Sequence, residues 1–482
     1  MLSELTKCSM FAAVIAVAWR TAAGQAVPTG LDTAVAYAQA TPADDSIRDE
    51  TVARLAEYIR INTSNPPGNE LQTAHWLKNF LASEGIDGQV LDTAELGPGR
   101  ANFYARIKGD GSEPGIALVH HMDVVPVTPD LWSVDPFAGG IKDGYLWGRG
   151  TLDMKGHGII QIMAVIALKR AGIRLHRDVV IIGNADEESD GDGAVTFVKR
   201  HSDLLQGIKY LLTESGDTQV ENGHVKWWGI NVGEKIPFWQ RLTVHGVASH
   251  GSEPTPNNPV PRLARAIVRV SAWQTPPRVL PAVDRYFKTQ AIYETGERRA
   301  WLMNARAALQ SPRGRAWLLS NPDRNALLRN TISPTVLTGS NKTNVIPAQA
   351  SAELDIRLLP DEDTAAFRRR LIQVIGDTAV HVETIDEVTP PFNAPLGTPL
   401  FDAIEGVIHE MLPNVPIAST VDAGASDRPI YAGAGLICYG LDPYLVELSE
   451  SVRGVHGNDE RVSIANVGWG VRFYRRLLTA FQ

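Results

Sequence analysis

The segment Gly115–Pro126 constrains the fold of this 482-residue chain more than any other. Its first part, Ile116–Val119, is a short, wholly apolar run, which is typical of a buried strand in a parallel sheet. His121 and Asp123 follow directly, at the carboxyl end of the strand, where open α/β sheets place their sites. An imidazole binds a metal best when a carboxylate holds its other nitrogen, and a His-x-Asp pair supplies both groups. A hydrogen-bonded structural pair is the alternative interpretation.

Helical and strand patterns alternate along the first half of the chain. Apolar strands at Phe103–Ile107, Val179–Ile182 and Ile208–Leu212 are separated by helices, the most apolar of which covers Ile159–Leu168. This alternation predicts a doubly wound α/β domain. Because 482 residues are too many for one ordinary core, at least two domains are expected.

A different pattern lies between Lys235 and Pro390. Its elements run strand, helix, strand, strand, helix, strand, which is the split βαβ order of a ferredoxin-like α+β domain. We therefore expect residues 41–235 and 390–482 to form one α/β domain, into which residues 236–389 are inserted as a second domain.

Residues 274–330 are not needed for the six elements of the α+β domain. Their sequence predicts a helical elaboration. A solvated helical face is the simpler explanation of its arginines, and an electropositive rim that attracts anionic substrates is the alternative. These arginines are Arg298, Arg299, Arg306, Arg313 and Arg315.

Residues 1–40 resemble a targeting leader. Lys7 precedes an apolar stretch, Met10–Trp19, that is too short to span a bilayer, and Ala22–Gly24 and Ala38–Ala40 resemble signal-peptidase sites. A signal peptide predicts a secreted or periplasmic protein. A disordered leader on a cytoplasmic protein is the alternative.

Composition excludes several classes of protein. A formal net charge of −8 argues against a nucleic-acid partner, and a hydrophobic content of 44% with 21% charged residues is typical of a soluble globular protein. Two cysteines, Cys8 and Cys438, cannot form a disulfide framework. No segment after the leader is apolar for long enough to cross a membrane.

Carboxylate and imidazole side chains recur at other strand ends and in one late loop. Three carboxylates crowded after a buried strand repel one another unless a cation neutralises them. Because adjacent residues of an extended segment point in opposite directions, either Glu187 or Glu188 can bind metal while the other faces the substrate. A mixture of imidazole and carboxylate ligands suits two borderline metals such as zinc. The side chains concerned are Asp153, Asp186, Glu187, Glu188, Glu214 and His456.

Taken together, these segments are similar to the dizinc exopeptidase family that includes glutamate carboxypeptidase, aminoacylase, acetylornithine deacetylase and succinyl-diaminopimelate desuccinylase. The likeness covers about residues 46–482, in order, with the inserted domain. It implies a zinc-peptidase-like catalytic domain and a lid or dimerisation domain. The matching segments are His121-Met-Asp123-Val-Val-Pro, Gly150-Thr-Leu-Asp153-Met-Lys-Gly, Asp186-Glu187-Glu188, Glu214, His250-Gly, Asn344-Val-Ile-Pro, Leu-Asp-Ile-Arg357 and His456-Gly-Asn458.

The resemblance implies a site with two zinc ions, although cobalt or manganese would fit the same ligands. It also implies that Asp123 orients His121, that Glu187 is the general base, and that the peptide bond after Asp153 is cis. The implied ligands are Asp153, bridging both ions, His121 and Glu214 on one ion, and Glu188 and His456 on the other.

The implied reaction is hydrolysis of a peptide or N-acyl amide bond beside a free carboxylate, by a hydroxide that bridges the metals. Glu187 takes the proton of the water and passes it to the leaving amine. His250 is expected to stabilise the oxyanion, in its own or a partner subunit's site. Asn344 is expected to assist it, and Arg357 to clamp the substrate carboxylate, unless they serve a turn and an internal salt bridge.

Other functions remain open at this stage. Glu214 favours the carboxypeptidase, aminoacylase and desuccinylase branches, because di- and tripeptidase branches often have aspartate there. A dipeptidase or a hydrolase of long-chain N-acyl amino acids is the alternative, and a non-catalytic binding protein is a remote one, since every expected ligand is present. A homodimer formed through the inserted domain is one expected assembly, and closure of that domain is expected to bring His250 to the substrate.

Overall fold

A computed structural model describes residues 31–385 and 388–482. Residues 1–30, which hold Cys8 and most of the predicted leader, lie outside the described residues. Cys438 is buried and unpaired. Over the described ranges, none of the helices has the length and apolar character that crossing a bilayer requires.

Helices and short strands alternate along the described chain. The α-helices are α1 (Thr33–Tyr37), α2 (Pro42–Ile59), α3 (Glu70–Ser83), α4 (Lys155–Arg170), α5 (Asp192–His201), α6 (Pro259–Ala272), α7 (Pro281–Gln290), α8 (Gly296–Met303), α9 (Ala305–Ala308), α10 (Pro312–Ser320), α11 (Pro322–Leu328), α12 (Thr364–Ile375), α13 (Pro399–Met411), α14 (Arg428–Gly433), α15 (Leu448–Gly454) and α16 (Ile464–Ala480). The strands are β1 (Leu31–Asp32), β2 (Gly88–Leu91), β3 (Asn102–Ile107), β4 (Glu113–His121), β5 (Gly140–Lys142), β6 (Tyr145–Trp147), β7 (Arg177–Asn184), β8 (Ile208–Thr213), β9 (Gln219–Glu221), β10 (His224–Glu234), β11 (Ile236–Pro237), β12 (Gln240–His245), β13 (Ser249–His250), β14 (Thr331–Thr338), β15 (Val345–Ile346), β16 (Gln349–Leu358), β17 (Val380–Thr384), β18 (Phe392–Asn393), β19 (Ile417–Asp422), β20 (Ile437–Gly440) and β21 (Arg461–Ser463).

The larger sheet confirms the predicted doubly wound α/β fold. Its strands follow the order β1-β10-β20-β8-β4-β7-β3-β2, and β9, β18 and β19 also pair with β10. Strand β4 lies near the middle, with β7 and β8 parallel to it on either side. Helices α2, α4 and α16 pack against one another, as do α5 and α14. The apolar run of β4 is buried, as expected for a strand covered on both faces.

The smaller sheet has the strand order of a ferredoxin-like α+β domain. Its strands β14, β16, β12 and β17 are neighbours in that order and pair antiparallel, and α6 and α12 pack together beside them. Alternate residues of β16 are buried, which is why its sequence alternates between apolar and polar residues. The apolar side chains of this sheet and these helices form a core of their own.

The helical segment 274–330 corrects one prediction. We expected it to elaborate the inserted domain, but α7 packs against β19 of the α/β domain. Val283 and Phe287 are fully buried in the core of the α/β domain, whereas an elaboration of the inserted domain would pack on the other core. Ser419 Oγ donates a hydrogen bond to the carbonyl of Ala282 at 3.2 Å. The arginines of this segment do not line the cavity at the metal residues, as the alternative of an electropositive rim would require. Arg313 pairs with Glu297 at 2.8 Å on the surface, as expected for a solvated face.

Residues 31–40 were predicted to belong to the leader, yet they are folded onto the α/β domain. Leu31 pairs with Val225 in the large sheet. Tyr37 Oη donates hydrogen bonds to the carbonyl of Leu445 and to Asn466 Oδ1, at 3.2 and 3.0 Å. These residues therefore belong to the folded protein.

Candidate metal centre

The predicted metal ligands converge at the carboxyl edge of the large sheet. His121 is the last residue of β4, and its neighbour β8 ends one residue before Glu214. Glu187 and Glu188 follow β7, the neighbour on the other side. Because the three strands are parallel, they deliver these side chains to one edge.

Asp153 lies between two histidines. Its Oδ1 is 3.0 Å from Nε2 of His121, and its Oδ2 is 3.1 Å from Nε2 of His456. Nε2 of His121 is also 3.5 Å from Oε2 of Glu214. Nε2 of His456 is also 2.9 Å from Oε2 of Glu188. The five side chains thus form two groups that share Asp153. Two sets of three side chains are close enough to hold a metal ion: His121 with Glu187 and Glu214, and His121 with Asp153 and Glu188.

The electrostatics of these groups fit bound cations. Oε1 of Glu188 is buried and has no hydrogen-bond partner in the protein. Burial raises the pKa of Glu214 to about 7, against the opposing effect of His121. Burial and the charge of Glu214 raise the pKa of Glu187 well above its usual value. Carboxylate oxygens and imidazole nitrogens are ligands that zinc accepts, and cations would offset the cost of burying these acids together.

Glu460, which no motif in the sequence singles out, holds the turn that carries Asp153. Its Oε1 accepts the backbone N–H groups of Leu152 and Asp153, at 2.7 and 3.1 Å. Its Oε2 accepts the N–H of Gly150 at 2.9 Å and Nη1 of Arg149 at 2.6 Å. The Glu460 side chain is fully buried, so these four N–H groups take the place of the water that would otherwise solvate its carboxylate. In the same turn the peptide bond Asp153–Met154 is cis, as the resemblance implies.

Arg149 extends this contact to the loop that carries His456. Its Nη2 donates to the carbonyl of Gly457 at 2.6 Å. Glu460 itself lies four residues after His456, so the ion pair joins the two loops that supply ligands. The only signal in the sequence was this proximity of an acidic residue to His456.

Asp123 positions other residues in addition to His121. Its backbone oxygen, at 3.0 Å, is the closer partner of His121 Nδ1, while its Oδ1 is 3.7 Å from that nitrogen. The carboxylate instead accepts the N–H groups of Glu187 and Glu188, at 3.2 and 3.1 Å. Asp123 therefore positions the turn that carries the predicted base, whereas a direct carboxylate–imidazole hydrogen bond was expected.

Asp186 is neutralised by the protein itself. Its Oδ1 forms an ion pair with Arg100 Nη2 at 2.8 Å and accepts a hydrogen bond from Asn65 Nδ2 at 2.8 Å. Asn65 also donates to Asp123 Oδ2 at 2.8 Å. Arg100 therefore supplies part of the positive charge that the crowded acidic residues require. Asn65 and Arg100 carry no recognisable signal in the sequence, because they come from loops far away along the chain.

His250, Asn344 and Arg357 lie in the inserted domain and do not line the cavity at the metal residues. His250 is exposed, and its Nδ1 lies 2.7 Å from Ser252 Oγ. Asn344 is next to it, because its carbonyl accepts the N–H of Gly251, at 2.7 Å. Arg357 Nε donates to Asp355 Oδ1 at 2.8 Å, which is the internal salt bridge considered as its alternative. Their roles toward substrate remain predictions.

A cavity of about 400 Å³ opens beside the metal residues. Asp153, Glu187, Glu188, Glu214 and His456 form one end of it. The other walls come from residues 215–218, from the loop after β19, and from the segment between β20 and His456. The predicted base therefore faces the same space as the predicted metal ligands.

Comparisons with known proteins agree with this geometry. The chain is 28% identical to a probable carboxypeptidase S-like protein of Dictyostelium discoideum, over 77% of this chain and 72% of that protein. It is 27% identical to the N-fatty-acyl-amino acid synthase/hydrolase PM20D1 of Xenopus tropicalis, over 89% and 86%. It is also 26% identical to aminoacylase-1A of Rattus norvegicus, over 89% and 95%.

Solved structures share the fold. An M20 family metallo-carboxypeptidase of Sulfolobus solfataricus superposes with a TM-score of 0.68 at 17% identity, over 90% of this chain and 99% of that one. Human carnosine dipeptidase 1 gives a TM-score of 0.65 at 17% identity, over 94% and 98%. The sequence pattern of Peptidase family M20/M25/M40 matches residues 117–480. The chain therefore belongs to peptidase family M20/M25/M40, whose members are metal-dependent hydrolases.

Proposed function

We propose that this protein is a dizinc hydrolase that cleaves a peptide or N-acyl amide bond beside a free carboxylate. The observation that carries the proposal is the shared Asp153: it contacts His121 on one side and His456 on the other, and each histidine contacts a further glutamate. The relatives named as carboxypeptidase, aminoacylase and N-acyl amino-acid hydrolase support the same reaction class.

Asp153, His121 and Glu214 would hold one zinc ion, and Asp153, Glu188 and His456 the other. When bound, two such ions supply a water of lowered pKa and polarise the scissile carbonyl.

Glu187 is proposed as the group that moves the proton. Its side chain lines the cavity, and its Oε2 is 4.0 Å from His121 Nε2, so no hydrogen bond to that ring restrains it. The backbone N–H of Glu187 is held by Asp123. A carboxylate placed in this way accepts a proton from the attacking water and donates it to the leaving nitrogen.

The inserted domain completes the site in this proposal. His250 is the donor proposed for the oxyanion, and it must come from domain closure or from a second copy of the chain. For a second copy, the proposed contact is β14, which pairs with β16 along one edge and exposes Val336 by 43% and Leu337 by 69%. The mass of the protein in solution, measured by light scattering, tests this dimer.

Export is also proposed, with cleavage near Ala22–Gly24. Cleavage near Ala38–Ala40 would remove β1 and α1, which pack on the α/β domain. Mass spectrometry of the mature protein distinguishes the two sites.

The reaction is tested by amine release from zinc-loaded protein. The substrates are dipeptides and N-acyl amino acids, each paired with its carboxyl amide. Glu187→Gln should retain its fold and its zinc and lose at least about 100-fold in kcat, because a general base contributes 10²–10⁴-fold. Glu253→Gln, an exposed change in the inserted domain, is the control. A near-normal rate for Glu187→Gln contradicts the proposal, and so does silence of the wild-type protein across the panel.

A further inference from the structure

We infer that the cavity beside the metal residues receives an uncharged, apolar acyl group, and that Leu448 is a specificity-determining residue for it. The inference rests on the proposed function, because it assigns one part of the substrate of that same site.

One wall of the cavity is apolar and accessible to solvent. Leu448, the first residue of α15, is 45% exposed and Val455, just after the same helix, is 41% exposed. Leu152 and Val446 line the cavity with them and are partly buried. Single exposed apolar side chains need no explanation, but four that face one concave space beside reacting groups form the usual lining of a ligand site.

Acidic side chains also line the cavity. Asp217, Asp422 and Asp442 line the cavity in addition to the carboxylates at the metal end. Among the lining side chains that the structure describes, His456 is the only one that can carry a positive charge, and it is assigned to a metal.

These acidic side chains determine which part of the substrate can enter the cavity. Away from the metal residues, a substrate carboxylate in the cavity would lie among carboxyl groups, and none of the described lining side chains there could offer it a positive charge, which is costly. The free carboxylate of the amino-acid part must therefore point out of the cavity, so the acyl part occupies it. The same argument disfavours acyl groups that end in a carboxylate, such as succinyl and glutaryl groups.

The size of the cavity limits the acyl group. A volume of about 400 Å³ is near the lower end of the range for small-molecule sites. The value of kcat/KM should therefore increase with the length of the acyl chain while added methylene groups still contact the apolar side chains. It should stop increasing once the acyl chain extends beyond the cavity.

The test compares acyl groups on one amino acid: three six-carbon groups that differ at their far end, and the short acetyl group. Zinc-loaded protein is assayed for kcat/KM with acetyl-, hexanoyl-, adipoyl- and 6-aminohexanoyl-leucine. Each buried methylene contributes up to about fourfold, so hexanoyl-leucine should exceed acetyl-leucine by at least about tenfold. Adipoyl-leucine, with its terminal carboxylate, should be at least about tenfold poorer than hexanoyl-leucine.

Variants at Leu448 link this preference to the wall. Leu448→Ala should lower kcat/KM for hexanoyl-leucine by about three- to tenfold and leave acetyl-leucine nearly unchanged. Leu448→Lys should narrow or reverse the difference between adipoyl- and hexanoyl-leucine, because it supplies the missing cation. Ile173→Lys is the matched control, since Ile173 is 43% exposed and does not line this cavity.

Several outcomes overturn the inference. Adipoyl-leucine equal to or better than hexanoyl-leucine would do so, as would a clear preference for 6-aminohexanoyl-leucine, which would assign an amine to the cavity. Leu448 variants that change all substrates equally would also overturn it. Failure of the wild-type protein on every substrate, acetyl-leucine and dipeptides included, would instead overturn the proposed function.

Discussion

Replacement of Glu460 by glutamine is the sharpest test of how the metal centre is held. The two oxygens of Glu460 accept four hydrogen bonds, two each. A glutamine amide has one oxygen, so two of the donors lose their acceptor whichever way the amide is placed. A hydrogen bond to a charged group contributes about 1.5–3 kcal/mol. We therefore expect Glu460→Gln to lower the free energy of unfolding by about 3–6 kcal/mol.

The same change should weaken metal binding. Glu460 and Arg149 join the turn of Asp153 to the loop of His456, and groups that position ligands typically affect metal affinity by about 10–100-fold. Urea unfolding of the metal-free protein and competitive zinc titration measure the two effects separately.

The control is Glu450→Gln. Glu450 forms a partly exposed ion pair with Arg461 at 3.0 Å, and such pairs contribute about 0–1 kcal/mol. If Glu460→Gln unfolds within about 1 kcal/mol of the wild-type protein and binds zinc equally well, the role assigned to Glu460 is refuted.

Two further predictions concern stability away from the metal centre. Burial, reinforced by the positive charge of Arg357, lowers the pKa of Lys235 to about 7. Between pH 7 and the unfolded value near 10.4 the unfolded chain binds more protons, so the stability of the wild-type protein relative to Lys235→Met should rise by roughly 1 kcal/mol per pH unit. Urea unfolding at pH 7 and pH 9 checks this, and a constant difference would contradict it. Phe287→Ala should cost about 3–5 kcal/mol, because Phe287 is fully buried in the core of the α/β domain. Met303→Ala, at a side chain that is 46% exposed, should cost less than about 1 kcal/mol, and equal costs would rule out the packing described here.

The elements that the sequence predicts well are those with a complete local pattern. The predicted strands Phe103–Ile107 and Ile208–Leu212 each agree within one residue with β3 and β8 of the structure. By contrast, β10 is long and lies within the large sheet, yet its pairs of tryptophans and glycines have no clear period. A hydrophobic period in the sequence reveals a helix or strand only when one face of that element is apolar and the other is polar.

The residues of the site also fall into those that the sequence predicts and those that it does not. His121, Glu188 and Glu214 follow recognisable strands, so their convergence follows from the parallel sheet. Glu460 and Asn65 act through loops that meet only in the folded chain, and sequence spacing contains no information about that meeting. The segment 274–330 illustrates the same limit, because its helical pattern identifies an apolar face but not the core that the face covers.

That segment has a consequence for motion. Because it returns to the α/β core, the chain crosses between the two cores near Lys235, Thr275 and Asn330 before its final return to the larger core. The crossings are neighbours: Lys235 Nζ donates to the carbonyl of Arg329 at 3.0 Å, and Thr275 Oγ1 donates to that of Asn330 at 2.6 Å. We expect three adjacent connecting segments to restrain twisting of the inserted domain more than two would, and to leave bending at this junction as the easier motion. We therefore expect the inserted domain to approach the cavity by bending at this junction, and a substrate to enter from the side that the bending opens.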